Sequence, residues 1–210
     1  LAETRARVGY EMLELDREAG TATRARGDLR VDLSAIAKGY GVDRISEALA
    51  ELGYPRHLVE VGGELRAGEP KADGTPWRIA VETPDARTRA IYGVLELSGE
   101  GVATSGDYRN YYEVEGVRFA HLIDPRIGRP VRHSGASVTV VHPRTAVADA
   151  WATALSVLGP EEGYERAEAE GLSAFFIWQE GETFMDRATS PMRELADRTS
   201  PVENAKGDTQ

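Results

Sequence analysis

The sequence predicts an α+β fold in which antiparallel sheets pack against helices. Short strand-like runs predominate, and most neighbouring runs are joined by turn residues that favour hairpins. Two segments, residues 34–52 and 145–159, instead repeat apolar residues at helical spacing. At 210 residues, the chain is long enough to bury a core without disulfides.

Turn signals place the elements of the N-terminal half. The segments "REAG" and "ARGD" bound a short second strand, which forms a hairpin with a first strand over about residues 11–16. This hairpin leads into the helix of residues 34–52, which Asp32 or Ser34 can cap. Strand-like runs follow at residues 57–68, 77–84, 90–99 and 101–105.

The C-terminal half continues the pattern. Its predicted elements are a hairpin at residues 111–123 that turns at Glu115-Gly116, a loop at 124–130, a strand at 136–143, helices at 145–159 and 160–171, and a closing hairpin at 172–186. Residues 190–210 are polar and lack periodicity, so we predict a disordered tail after a single domain over residues 1–189.

Composition excludes several classes of function. The net charge of -10, without a Lys/Arg-rich face, argues against a nucleic-acid partner. The absence of cysteine rules out thiol catalysis and thiolate metal sites, and no apolar run reaches membrane-spanning length. The chain begins at Leu1 without a methionine, so we expect a fragment, and its localisation cannot be predicted from its start.

Lys38 is an unusual residue for its position in the first predicted helix. Ala35, Val42, Ile45, Leu49 and Leu52 form an apolar stripe at helical spacing, and Lys38 falls on it, near the positive end of the helix dipole. We therefore expect a negative group nearby. One interpretation is a phosphate held by Lys38 and the helix N-terminus, and the other is a lysine that extends to water.

Asp149 is the second unusual residue. In the helix of residues 145–159 an apolar stripe (Val147, Ala150, Trp151, Ala154 and Leu158) lies opposite a face of small residues whose one charge is Asp149. Thr153 follows four residues later, so its hydroxyl projects beside the carboxylate. Such oxygen ligands suit Mg²⁺ completed by waters and phosphates, although Asp149 could instead cap the helix or pair with an arginine.

Other motifs carry weaker indications. Gly62-Gly63 interrupts a strand-like run and indicates either a bulge or the close approach of a ligand. The four histidines are dispersed, which disfavours a zinc site, and "GYG" at residues 39–41 does not complete a dinucleotide-binding fingerprint.

Five ordered motifs together resemble the FAD:protein FMN transferase family, also called ApbE. They are "VDLSAIAKGYGVDRI", "VEVGGEL", "VATSGDYRNYY", "HLIDPRIGRPV" and "VADAWATAL", and the resemblance spans roughly residues 5–187. It implies a Mg²⁺-dependent transferase that joins the FMN part of FAD to a threonine or serine of an acceptor protein and releases AMP. The implied acceptor is a subunit of a membrane redox complex, and the implied location is the cell envelope.

The resemblance also implies roles for individual residues. Lys38 and Asp149 would be catalytic, and Mg²⁺ would be bound by the Ala35 carbonyl, Asp149 and Thr153, with Ala152 lining the same corner. Asp32, Lys38, Gly62, Gly63, His121 and Ile123 would contact FAD. The family's N-terminal portion, which supplies further FAD contacts, is absent from this sequence.

Three alternatives remain open at this stage. The same site could give the phosphoester to water, which would make the protein a Mg²⁺-dependent FAD pyrophosphatase that produces FMN and AMP. A flavin-binding or flavin-storing protein without turnover would retain the motifs, and a non-catalytic interaction domain would leave Lys38 and Asp149 unexplained.

Overall fold

A computed structural model of the chain describes residues 7–85, 90–106, 111–114, 117–120, 122–131, 135–181 and 183–197. Four α-helices lie within these ranges: α1 (Ser34–Glu51), α2 (Thr145–Leu158), α3 (Glu162–Ala169) and α4 (Ser190–Asp197). The strands are β1 (Leu13–Asp16), β2 (Thr21–Arg24), β3 (Leu58–Val61), β4 (Glu64–Ala67), β5 (Trp77–Glu82), β6 (Ile91–Leu97), β7 (Gly101–Gly106), β8 (Tyr111–Val114), β9 (Val117–Ala120), β10 (Ile123–Asp124), β11 (Arg129–Pro130), β12 (Gly135–His142), β13 (Ser173–Glu180) and β14 (Thr183–Ala188). A 3₁₀ turn at Tyr10–Met12 precedes β1.

The centre of the fold is a six-stranded sheet with the order β14-β13-β12-β7-β4-β3. All of its neighbouring strands are antiparallel. Four further two-stranded hairpins pair β1 with β2, β5 with β6, β8 with β9 and β10 with β11. This architecture confirms the predicted α+β class with antiparallel sheets and packed helices.

The sheet buries a different apolar cluster on each face, because successive side chains of a strand point to opposite sides. In the β7–β12 register, Ala103 pairs with Val140 and Val102 pairs with Val141. The first pair belongs to a core that α2 and α3 cover, and the second pair to a core completed by Leu97 and Met192. The sheet is therefore the middle layer between two apolar cores.

Helix α2 packs against α1 and against β7 and β12 of the sheet. Its first residue, Thr145, fits only because two neighbours lack side chains. A Cβ on Gly39 would lie 2.5 Å from the Thr145 carbonyl oxygen, and one on Gly101 would lie 2.1 Å from Thr145 Oγ1. These close approaches fix the N-terminus of α2 between α1 and β7.

The buried helix faces differ from the predicted stripes. Helix α1 buries Gly39, Val42, Asp43 and Ser46, whereas Ile45 is 45% and Leu52 72% exposed. Helix α2 buries Thr145, Ala148, Asp149, Ala152, Leu155 and Ser156. The α1 prediction was wrong because the two helices approach each other closely, which small and polar residues permit and large side chains would prevent. On α2 the predicted stripe is partly covered as well, since Trp151 and Leu158 pack against the core.

Two further predictions need correction. The run at residues 57–68 is a hairpin and not one strand, since Gly62 and Gly63, with φ of 61° and 101°, form the turn between β3 and β4. The predicted disordered tail is wrong at its start, because Ser190–Asp197 is a helix that buries Met192 and Leu195. The Glu115-Gly116 corner lies outside the described residues.

None of the helices in the described part of the chain is long and apolar enough to cross a membrane.

Candidate active site

A cleft of about 1000 Å³ opens beside the N-terminal ends of α1 and α2. Its walls come from the first turns of α1, the β3–β4 hairpin, β5, β7, β12 and the middle of α2. Ala35, Lys38, Gly62, Gly63, Asp149 and Thr153, six of the residues selected from the sequence, line this one cleft. The fold therefore brings together motifs that are separated by more than a hundred residues along the chain.

The negative group expected beside Lys38 is a side chain of the protein itself, Glu64. The Lys38 Nζ lies 2.5 Å from Oε1 of Glu64, the first residue of β4. Glu64 is 2% exposed and the lysine side chain 46% exposed, so the cation reaches the cleft while its partner is enclosed. Gly62 makes room for this arrangement, because a Cβ there would lie 3.1 Å from Lys38 Cδ.

Among the residues that the structure describes, the second oxygen of Glu64 has no hydrogen-bond partner. Burial raises the pKa of Glu64, the hydrogen bond from Lys38 partly offsets that effect, and the charge of Asp149 adds to it. A buried acceptor without a donor costs free energy, so Glu64 Oε2 is a position where a bound group or a proton is favoured.

Asp149 joins the two helices at the cleft. Its Oδ2 accepts a 2.9 Å hydrogen bond from the Gly39 amide. In a regular helix that amide pairs with the carbonyl four residues earlier, which here is Ala35. The bond from the Gly39 amide therefore brings the Asp149 carboxylate next to the turn of α1 that carries the Ala35 carbonyl.

Burial raises the pKa of Asp149, while the Gly39 amide and the charge of Lys38 oppose that shift. Among the described residues no arginine pairs with Asp149, and its position inside α2 is not that of a cap. The alternatives of an arginine pair and of a cap therefore lose support.

Hydroxyl groups also line the cleft. Thr104 on β7 and Thr139 on β12 are adjacent in the sheet, and their Oγ1 atoms lie 2.9 Å apart. Thr139 is fully buried, whereas Thr104 is exposed and Thr153 on α2 is partly exposed in the same cleft. Thr104 and Thr153 therefore offer neutral hydrogen-bonding groups, which suit a polar ligand such as a nucleotide.

The donor set at the helix junction fits Mg²⁺. A buried carboxylate, a hydroxyl and a main-chain carbonyl are hard oxygen ligands, and Mg²⁺ usually keeps several waters and takes few protein ligands. Within the described ranges no group of three His, Cys, Asp or Glu side chains could hold a metal ion. A site at Asp149 would therefore depend on one carboxylate and on neutral oxygens.

A third buried carboxylate lies one helical turn from the cleft. Asp43 is 3% exposed and accepts hydrogen bonds from the Thr145 amide (2.8 Å) and the Ala146 amide (3.0 Å). Arg66 on β4 donates to the same carboxylate at 2.7 Å. Asp43 thus connects α1, α2 and β4 directly behind the cleft.

Comparison with known proteins identifies the family. The model of the ApbE family matches residues 1–176. This chain belongs to the ApbE family.

Curated relatives and solved structures agree with this membership. Over 75% of this chain, the sequence is 45% identical to the Escherichia coli K12 FAD:protein FMN transferase. Over 94% of this chain, it is 42% identical to the Haemophilus influenzae FAD:protein FMN transferase. The chain superposes on the Pseudomonas stutzeri flavinyl transferase ApbE with a TM-score of 0.81 at 43% identity, over 92% of this chain and 59% of that one. The chain spans 45% and 58% of the lengths of the two curated relatives, about half of each.

Three of the described residues that the ApbE resemblance selected, Asp32, Ile123 and Ala152, are not part of the cleft lining. Asp32 is exposed, and its Oδ1 accepts hydrogen bonds from the amide and hydroxyl of Ser34, which does line the cleft. Ile123 is 58% exposed outside the lining, whereas its neighbour Leu122 belongs to it. Ala152 is buried in the core on the helix side of the sheet, and His121 lies outside the described residues.

Sequence reasoning missed Glu64, Asp43 and Arg66. The available signal was alternation in "GELRAG", where Glu64 and Arg66 point to one face of a short strand. That face meets α1, so the two charges pair with Lys38 and Asp43 of the helix.

Proposed function

We propose that this chain carries the catalytic core of a Mg²⁺-dependent FAD:protein FMN transferase. In this reaction a threonine or serine hydroxyl of an acceptor protein attacks the FMN-side phosphorus of FAD. A new phosphoester bond forms, the pyrophosphate bond breaks, the hydroxyl proton is lost, and AMP leaves. The proposal covers residues 1–189 as the catalytic domain, with the relatives' remaining length supplying further FAD contacts.

The observation that carries this proposal is the convergence of Lys38, Glu64 and Asp149 at one end of a nucleotide-sized cleft. A phosphoryl transfer needs positive charge placed against the phosphate oxygens. Lys38 supplies one such charge, and Glu64 holds its Nζ in place. Family membership and the names of the relatives support the same reaction.

Asp149, Thr153 and the Ala35 carbonyl would hold the metal ion. Mg²⁺ bound there would neutralise charge that develops on the pyrophosphate during transfer. Gly62 and Gly63 present main chain without side chains at the cleft, which leaves room for a phosphate or flavin to approach. Asp32, His121 and Ile123 are proposed to contact FAD.

The acceptor and the location remain part of the proposal. We propose an acceptor threonine or serine on a subunit of a membrane redox complex, and an envelope location that would give access to it. The relatives' name, which specifies transfer to a protein, supports a protein acceptor.

The test is intact-mass spectrometry of an acceptor domain that carries a threonine. The domain is incubated with this chain, FAD, and either Mg²⁺ or EDTA. The proposal predicts a metal-dependent gain of one FMN and an equal amount of AMP. Release of FMN and AMP into solution would instead indicate a pyrophosphatase, and FAD binding without either product would indicate a flavin-binding protein.

A further inference from the structure

The N-terminus of α2 is held by a side chain from another helix. Its own capping position is Arg144, which has extended backbone and makes no side-chain cap. The first amides of a helix need acceptors, and a carboxylate at this end is favoured by the helix dipole. Asp43 of α1 supplies both features through its bonds to the Thr145 and Ala146 amides.

Asp43 is itself fixed by the sheet. Arg66 of β4 donates to Asp43 Oδ1, and the arginine side chain is 21% exposed against 5% for the aspartate. Burial acts to raise the pKa of Asp43, but the bonds from Ala146, Thr145 and Arg66 outweigh it and hold that pKa below its ordinary value. The carboxylate is therefore a charged, satisfied anchor and not an unpaired buried charge.

The anchor and the candidate metal ligand are coupled through rigid helices. On α1, Gly39 lies one turn before Asp43, and on α2, Asp149 lies one turn after Thr145. Asp43 bonds the start of α2, while the Gly39 amide bonds Asp149. Since Gly39 leaves no space at Thr145, a shift of the α2 N-terminus would displace Asp149 and, one turn later, Thr153.

We propose that Asp43 is a positioning residue that sets the location of Asp149 and Thr153 for Mg²⁺ binding and transfer, an inference that rests on the proposed function. In the described part of the chain, the hydrogen-bond partners of Asp43 are Thr145, Ala146 and Arg66, and none of these three lines the cleft. The effect of Asp43 on Asp149 and Thr153 is therefore transmitted by the position of α2.

The test compares Asp43→Ala and Asp43→Asn with the unmodified 210-residue chain. Mg²⁺ affinity is measured by titration calorimetry without FAD, and kcat and KM for FAD are measured separately. Loss of a group that orients a metal ligand typically weakens binding or activity by about 10-fold to 100-fold. We expect a Mg²⁺ affinity loss in that range for Asp43→Ala, with a lower kcat and a KM for FAD within about twofold.

Asp43→Asn keeps an oxygen for one of the two amides but loses the charge, so it should recover part of the Mg²⁺ affinity. It also provides the test if Asp43→Ala does not fold. Hydrogen exchange of the amides at the start of α2 gives a readout that needs no metal, and both variants should exchange faster there.

Thr189→Val is the matched control. Thr189 is fully buried, and its Oγ1 donates to the Leu172 carbonyl (2.7 Å) and accepts from the Ala174 amide (2.9 Å), so it also joins backbone segments. It lies outside the cleft lining. The variant should lose stability and keep its Mg²⁺ affinity.

Two results would overturn the inference. One is wild-type Mg²⁺ affinity and kcat in folded Asp43→Ala or Asp43→Asn. The other is an equal loss of Mg²⁺ affinity in Thr189→Val at the same loss of unfolding free energy. An unmodified chain that neither binds Mg²⁺ nor transfers FMN would contradict the proposed function, and the exchange rates of α2 would still decide whether Asp43 holds that helix.

Discussion

The two ends of helix α2 are packed by opposite kinds of contact. At its N-terminal end the neighbours are the buried carboxylate of Asp43 and the Gly39 amide that bonds Asp149. Toward its C-terminal end Ala152 and Leu155 are buried in an apolar core with Phe176. Buried charges cost free energy unless every one is paired, whereas apolar burial stabilises directly. One helix thus carries Asp149 near its polar end and fold stability toward the other end, and Thr153 of the candidate site lies at the border between the two.

Replacing Asp149 by asparagine should have the largest effect on activity and a small one on stability. Loss of one preorganised charge at a transition state typically lowers kcat by about 10²-fold to 10³-fold. Burial raises the pKa of Asp149, so the charged form is disfavoured in the fold and the neutral amide should keep or raise Tm. Transfer rates and thermal unfolding of Asp149→Asn test both parts. A fall in Tm with unchanged kcat would mean that Asp149 stabilises the fold and does not contribute to the reaction.

Leu155→Ala should show the converse at the other end of the helix. Leu155 is fully buried, and removing a buried leucine side chain costs about 2–5 kcal/mol. Urea unfolding should show this loss, while kcat and Mg²⁺ affinity of the folded fraction should stay within about twofold. A large change in Mg²⁺ affinity at low temperature, where the variant is folded, would show that Leu155 also affects the metal site.

Glu64→Gln tests a smaller contribution at the charged end. The substitution removes the negative charge beside Lys38 and leaves a lysine that is half exposed, so no cation is stranded in the core. Because burial raises the pKa of Glu64, stability should be unchanged or higher. Loss of the group that orients Lys38 should lower kcat by about tenfold. Glu170→Gln, which removes the charge that pairs with Arg166 of α3 outside the cleft lining, is the control and should leave kcat unchanged.

The smallest expected effect is a pH dependence at Asp43. Its pKa in the fold lies below its ordinary value of 3.8, so ionised Asp43 stabilises the fold above that pH. This contribution is lost as the pH falls through the lowered pKa of the folded state. The gap in unfolding free energy between the unmodified chain and Asp43→Asn should therefore be constant near neutral pH and shrink in acid. Urea unfolding at several pH values measures the gap, and a gap that widens in acid would contradict the assignment.

The fold class and most elements could be predicted because strand alternation and turn residues are local signals. The helix faces could not. Periodicity marked Ile45 and Leu52 for burial, but the contact between α1 and α2 selects Gly39, Asp43 and Ser46 instead. A close helix contact requires small residues, and a hydropathy pattern gives small and polar residues little weight.

The sequence predicted the part of the candidate site whose residues are unusual for their positions in a helix. Lys38 and Asp149 conflict with their local surroundings, and the sequence therefore marked them. Glu64, Asp43 and Arg66 look ordinary in sequence, because charges at a strand start or on a helix are usual there. Their function depends on distances between segments that only the folded chain brings together.

The most direct test of the account is a Mg²⁺ titration of AMP release from FAD in the presence of an acceptor domain, with the unmodified chain and with Asp149→Asn. If Asp149 holds Mg²⁺, AMP release by the unmodified chain should saturate as Mg²⁺ is added, whereas AMP release by Asp149→Asn should not saturate over the same range. Identical Mg²⁺ dependence in the two proteins would contradict the claim that Asp149 is the carboxylate on which this site depends.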